Sequence, residues 1–269
     1  MNAPTIFAAF LRRDWAVTRS YRLAYVLGLG NTALSLTLYF GISQLVDSTE
    51  SAATPALESG YFSFVVVGMV MLALVSPALS TFSSQLRAEQ TTGSLEVLLA
   101  TPTSPTTLVA GLATYTLIQS FLSAVVLIGL AALLFGLQIQ LGPASSIAAA
   151  VALFGNLGLF TATGITIAGL TVVFKRMEHL LVLIGTAIGV LCGVYYPVAV
   201  LPDFLQILAQ ALPFTWGFEA WRAALLRDEV LLDQLVALLV VLTGALPLAL
   251  WFFGAALNRA RRDGSLGQY

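Results

Sequence analysis

The stretch RAEQTTGSLEVLLATPTSP, Arg87 to Pro105, decides how this chain folds, because it is a short polar island between two long apolar tracts. It carries helix signals of its own. Thr91 or Thr92 offers a hydroxyl oxygen that accepts an unpaired amide of a first helical turn. Glu96 lies four residues past Thr92, one more than a strict capping box requires. Leu95, Leu98 and Leu99 recur at i, i+3 and i+4, the apolar stripe of a short amphipathic helix. Pro102 and Pro105 stop it. The pattern predicts a small helix with one greasy face, placed to dock on a partner.

The tracts on either side are membrane-spanning in character. The chain is 58% hydrophobic and 9% charged, against roughly 25% charged in a typical soluble domain, and its mean hydropathy is +0.92. No Asp, Glu, Lys or Arg occurs in 23–46, 59–86, 97–174, 180–202 or 234–258. About 20 apolar residues cross the hydrocarbon core as a helix, so four tracts hold one span each. The long tract 97–174 holds two, divided by Gln138, Gln140, Gly142, Pro143, Ser145 and Ser146. An all-α integral membrane protein of six spans follows, near 23–46, 61–86, 106–136, 147–174, 180–200 and 234–258, in one domain, 1–269.

Charge orients these spans. With both termini cytoplasmic, the inner segments hold Arg12, Arg13, Arg19, Arg22, Arg87, Lys175, Arg176, Arg259, Arg261 and Arg262. The outer segments hold only Arg222 and Arg227, and ten against two is a positive-inside bias. Asp47, Glu50, Glu58, Asp203, Glu219, Asp228, Glu229 and Asp233 all fall outside. The arginine-studded start and the long apolar run behind it do not fit a cleavable signal peptide. A net charge of −1 gives no ground for a nucleic-acid partner.

Several local patterns refine this plan. Residues 3–20 group Ile6, Phe7, Phe10, Leu11 and Trp15 opposite arginines, as an interfacial amphipathic helix does; a plain positive-inside anchor is the alternative. Pro77 sits inside span two, where it removes a backbone donor. Gly185, Gly189 and Gly193 form one row along span five, a close-packing surface either within the chain or at a dimer seam. In YYPVAVLPDFLQILAQALPFTWGFEAWRAALLRDE, two helices too short to span are divided by Pro213, the second with Thr215 as candidate cap. They form either a hairpin re-entering the outer leaflet, covered by protein, or a pair lying flat with Trp216 and Trp221 at headgroup level.

Much of the chemistry is negative. One histidine and one cysteine make no multi-ligand metal site. His179 and Cys192, thirteen residues apart along a helix, lie roughly 20 Å from each other, so no catalytic pair forms. The single lysine, Lys175, follows phenylalanine, whereas a phosphate-cradling loop needs Gly-Lys. No ionisable acid or base lies within the spans, against a proton-coupled carrier. Asn31, Gln119, Asn156 and several threonines remain as interhelical hydrogen-bonding groups. A transport chain so equipped draws its energy from a partner.

Here the residues resemble a known family, the ABC-2-type permeases, membrane subunits of ATP-binding-cassette exporters of multidrug type. Gly93, Leu95, Glu96, Leu98, Leu99, Thr101 and Pro102 match the family's Gly-Thr-Leu-Glu, Leu-Leu and Thr-Pro pattern; Ser94 replaces the usual threonine, and Gln90 stands where a basic residue is common. Pro197, Leu201-Pro202, Pro213 and Arg222 match its proline-marked segment.

The resemblance implies an elbow helix at the N-terminus and a coupling helix in 87–105, docking on a cytoplasmic ATPase subunit through Arg87, Glu89, Thr92, Gly93, Leu95, Glu96, Leu98, Leu99 and Pro102. It implies a re-entrant extracellular hairpin, 203–226, with Pro202, Pro213, Trp216, Glu219 and Arg222. It also implies two permease and two ATPase chains in a bacterial or archaeal cell membrane, with Gly185, Gly189 and Gly193 near the permease seam. ATP and Mg would bind the partner ATPase and no cofactor this chain. Asn31, Tyr39, Phe40, Tyr195 and Tyr196 are candidates for a path taken by a hydrophobic or amphipathic, drug-like or lipid-like cargo. A non-transporting scaffold or channel subunit, using the same helix as an anchor, is the competing class.

Overall fold

A computed structural model of the chain describes residues 22–46, 57, 59–91, 105–174 and 178–262. Among these the regular elements are all helical: α1 Arg22–Val46, α2 Tyr61–Thr91, α3 Pro105–Phe135, α4 Pro143–Phe174, α5 Glu178–Leu191, α6 Asp203–Ala211, α7 Pro213–Leu226 and α8 Leu232–Arg262, with a 3-10 turn at Val198–Val200. The expected elbow helix, 3–20, lies outside the described residues. Five helices are long and apolar enough to cross a membrane, within Val26–Val46, Tyr61–Thr81, Ile118–Phe135, Pro143–Thr171 and Leu232–Arg259.

The fifth expected span is shorter than its apolar run. Residues 180–200 were expected to be one helix, but α5 ends at Leu191 after 14 residues, fewer than the roughly 20 a crossing helix needs. The break falls at Gly193, whose φ of +70° is the left-handed conformation that ends helices and that glycine adopts at no Cβ cost. The chain then passes Pro197 into the 3-10 turn. The same device ends α3: Gly136 has φ +70°, and the amides of Gly136 and Leu137 bond back to Ala132 and Ala131 at 3.2 and 3.3 Å.

α2 is the centre of the bundle. Phe64, Val65, Val66, Val67, Val70, Met71 and Val75 are all at most 2% exposed, because α3, α4, α7, α1 and α5 surround it. In its apolar window 61% of the residues are buried, against 11% in α1. α1 is therefore a peripheral helix, with Leu23, Val26, Leu27, Leu34, Leu38 and Leu45 exposed. Pro77 lies inside α2, and the Thr81 hydroxyl donates to its carbonyl at 2.6 Å.

α4 is the second central helix, and glycines set its neighbours' distances. A Cβ on Gly155 or Gly158 would meet Leu238 or Leu242, and one on Gly169 would lie 3.2 Å from the Phe252 ring. These positions share the face toward α8. On another face, a Cβ at Gly164 would lie 2.5 Å from the Ala78 carbonyl oxygen and 2.8 Å from that of Leu79, so α2 and α4 touch backbone to backbone. The threonines expected to link helices instead bond within their own: Thr161, Thr163, Thr166 and Thr171 each donate to the carbonyl four residues back, at 2.7–2.9 Å. That satisfies a hydroxyl where water is absent.

Candidate functional site

Residues 57 and 59–60 and the segments 136–142 and 192–231 meet at one end of the bundle. Pro202 precedes α6, and Pro213 occupies the first position of α7, where its missing N–H costs nothing and its fixed φ starts the helix. This corrects the expected cap: α7 begins two residues before Thr215, whose hydroxyl donates back to Ala209 O at 2.6 Å. Trp216 Nε1 donates to Gln210 O at 3.0 Å, so both side chains pin the start of α7 to the end of α6.

α7 is not a surface helix. Thr215, Gly217, Phe218, Ala220, Trp221, Ala223, Ala224, Leu225 and Leu226 are buried, packed against α4, α8 and α2. Trp221 Nε1 donates to Val67 O at 3.1 Å. Half-buried Arg222 donates from Nη2 to Gly193 O at 2.8 Å and from Nε to Phe64 O at 3.4 Å, and its Cζ lies 3.7 Å over the Phe64 ring. Gly68 makes room, since a Cβ there would lie 2.6 Å from Val194 O and 2.9 Å from Arg222 Nη2. Glu219 is exposed and accepts from Gln234 Nε2 at 3.0 Å.

Asp228 fastens this end. Its φ of 55° turns the chain so that its carboxylate accepts the Gly142 amide at 2.8 Å and the Ser145 hydroxyl, capping the start of α4. This explains why α4 begins at Pro143 rather than at the expected 147. Gln140 N bonds to Leu225 O at 2.9 Å, and the Ser59 hydroxyl to Leu226 O at 3.3 Å. The Ser145 hydroxyl, then the Gly142 amide, hold the Asp228 pKa below its ordinary value of 3.8. A depressed carboxylate stabilises the fold above its unfolded pKa, and that contribution is lost as pH falls through the folded value. Asp228→Asn, which keeps an acceptor and tolerates positive φ, is expected to lower the unfolding midpoint slightly at pH 7. The difference from wild type should be full above about pH 3.8, shrink as pH falls below it, and vanish only below the lower folded-state pKa; a difference constant with pH would exclude the charge as its source.

The other expected site residues divide into groups. Tyr39 and Tyr195 stack at 5.9 Å with planes 13° apart. Phe40 turns away from them, into contact with Phe62 and Phe135 at 5.6 and 4.9 Å. Asn31 is exposed on α1, apart from this cluster, and Tyr196 is half-buried. The glycine row does not survive as a row. Gly193 lies beyond the end of α5, buried as the Arg222 acceptor, and Cβ atoms on Gly185 and Gly189 would face Leu79 and Leu72 of α2 at 3.8 and 3.9 Å.

α2 runs helically through Thr91, carrying Arg87 and Glu89 in its last turns, so Thr91 belongs to this helix. Thr92, Gly93, Leu95, Glu96, Leu98, Leu99 and Pro102 lie outside the described residues. Among the described residues no group of three His, Cys, Asp or Glu could hold a metal ion.

The charge and proline patterns in the sequence did not point to Gly68, Gly164, Gly217, Asp228 or the buried role of Asn156. Gly217 faces the Asn156 amide across the α4–α7 contact. Both polar atoms of that amide, at 0% exposure, have no hydrogen-bond partner among the described residues. Glycine spacing along α4 was the available signal for the close contacts.

A multi-helix bundle with five helices fit to cross a membrane, and with the short helix α7 buried at one end, defines a multi-pass membrane protein. A model of the ABC-2 type transporter family matches residues 5–226, and the chain belongs to that family. Its members are ABC transporter permeases, transport components that are generally not catalytic and that normally pair with an ABC ATPase subunit. No curated protein matches the chain.

Proposed function

We propose that this chain is the membrane subunit of an ATP-driven exporter, moving a hydrophobic or amphipathic, drug-like or lipid-like cargo outward across a bacterial or archaeal cell membrane. The family match over residues 5–226 carries the reading. Two permease chains and two ATPase subunits form the working unit, with both termini cytoplasmic, as the ten-to-two arginine and lysine asymmetry favours. The 87–105 segment is the coupling helix. Leu95, Leu98 and Leu99 enter a groove on the ATPase, and Arg87, Glu89 and Glu96 orient the docking by charge. ATP binding draws the ATPases together, and α2, which leads directly into this segment, transmits the movement to the bundle.

The 203–226 hairpin closes the outer end as a re-entrant element; the burial of α7 among α2, α4 and α8 supports this over a pair of helices lying flat. The exposed apolar faces of α1 and α5 flank the Tyr39–Tyr195 stack and suit a second permease chain or lipid.

The test is the double substitution Leu98→Asp with Leu99→Asp, which places two charges where an apolar groove must exclude water. The ATPase is expected to stop co-purifying, and transport to fall at least about tenfold, equivalent to about 1.4 kcal/mol of docking free energy. Retention of both, in a variant that elutes as wild type does, overturns the coupling role.

A further inference from the structure

At the hairpin end lies a cavity of about 280 Å³, lined by Phe64, Cys192, Pro197, Val198, Leu226 and Arg222 among others. Ala199, Gln210 and Glu219 line its rim and are exposed, so it opens outward. The volume sits just below the small-molecule range of about 300–1,000 Å³. It suits a headgroup or a small organic anion and is too small for a whole drug or lipid.

Arg222 is under-used where it stands. A guanidinium offers five N–H donors, and two are engaged, Nη2 by Gly193 O and the more distant Nε by Phe64 O. Both acceptors are neutral carbonyls, and the Phe64 face adds only a quadrupole. Among the described residues the ion pair at this end is Arg227 with Glu229, at 3.1 Å, and no carboxylate pairs with Arg222. The other polar walls are occupied: Gln206 Nε2 donates to Leu201 O at 2.7 Å and to Ala199 O, and the Thr215 hydroxyl to Ala209 O. The cavity thus holds a positive charge with free N–H groups among apolar walls; the one carboxylate that lines it, Glu219, is exposed and makes no ion pair with Arg222, and Arg227, also in the lining, is paired with Glu229. A half-buried cation left in this way is favourable only when an anion completes it.

We propose that this cavity is a binding site for a single anionic group, a phosphate borne on a small or partly apolar molecule, with Arg222 as its anchor. The site stands independently of the coupling reading above. Glu219 at the rim opposes the anion and tunes its affinity downward.

The test uses the full chain purified in an uncharged detergent, following tryptophan fluorescence, to which Trp216 and Trp221 contribute from the same helix. Two probes are titrated, inorganic phosphate and dihexanoyl phosphatidic acid, with potassium chloride held constant. Saturable binding of the first marks a free-ion site and binding of the second alone marks a lipid-headgroup site; either outcome supports the shared chemistry. Arg222→Gln is expected to weaken binding by about tenfold or more and Arg222→Lys by less. Glu219→Gln, which leaves Arg222 and its contacts in place, is expected to tighten binding about two- to fivefold, the gain from removing one nearby like charge at a partly screened site. Absence of saturable binding by both probes, or an affinity unmoved by Glu219→Gln, overturns the proposal even if Arg222→Gln fails to fold.

Discussion

Gly164→Ala is expected to be among the most damaging single methyl additions in this protein, costing about 3 kcal/mol or more, at the upper end of overpacking effects. The added Cβ would lie 2.5 Å from Ala78 O, 2.8 Å from Leu79 O and 3.1 Å from Leu79 Cα. All three are backbone atoms of α2, the most deeply buried helix, so no rotamer change relieves the overlap. α2 and α4 would have to separate along their length. Between apolar helices in a bilayer, close approach of backbones at small residues supplies much of the attraction, since burial of apolar surface adds little there. The measurement is the denaturation midpoint of the purified chain in detergent. Adding Leu79→Ala should recover none of the loss, because it removes no atom that the methyl touches. A Gly164→Ala midpoint within about 0.5 kcal/mol of wild type, the ordinary range for an uncrowded site, would show that α2 and α4 do not meet this closely.

Gly217→Ala is expected to be nearly as costly, with one difference that identifies its cause. Here the new methyl meets a side chain: Asn156 Cγ at 2.5 Å and Oδ1 at 2.6 Å, with Nδ2 closer still. Asn156 is fully buried, so its amide has nowhere to swing, and a loss of about 1–3 kcal/mol follows. Asn156→Ala removes the atoms in the way and also a polar group without a hydrogen-bond partner among the described residues, whose desolvation costs about 1–3 kcal/mol. The double variant should therefore be more stable than Gly217→Ala alone, and the two substitutions should couple by at least about 1 kcal/mol. Simple additivity would place Asn156 out of contact with α7. The hairpin's seating depends on this pair, so transport should follow stability across the four proteins of the cycle.

These two sites show where reading the chain residue by residue stops. Five of the six expected spans correspond to helices, because apolar length and the absence of charge report on a single segment without reference to its neighbours. Gly136 and Gly193 end helices for an equally local reason, the positive φ that each adopts, although the apolar run through residue 200 concealed the second. The glycines of span five suited either packing within the chain or a dimer seam, and spacing alone does not say what lies opposite. Within this chain Gly185 faces Leu79, and Gly189 faces Tyr195 and Leu72. Gly155, Gly158, Gly164 and Gly169 in α4 have looser spacing, and they set close contacts with α8 and α2.

The site divides in the same way. The prolines that bound α6 and α7 are local signals, and they marked the starts of these two short helices. That Arg222 reaches two backbone carbonyls and a phenylalanine ring, 29 and 158 residues away in sequence, is beyond any local pattern. So is Asp228, one acidic residue among eight assigned to the outer segments, which proves to cap a helix that starts 85 residues earlier.

By itself the sequence determined that this is a helical membrane protein, which segments cross or nearly cross the bilayer, which family it belongs to, and that Arg87–Pro105 is its polar island. Those properties follow from transfer free energies and backbone preferences that act residue by residue. Only the tertiary structure decided that α2 and α4 form the core, that α5 is cut short, that α7 is buried, and that Arg222 lines a cavity without an ion-pair partner among the described residues. Those facts depend on which surfaces meet at a distance of a few ångströms, and packing at that scale is set by the whole fold.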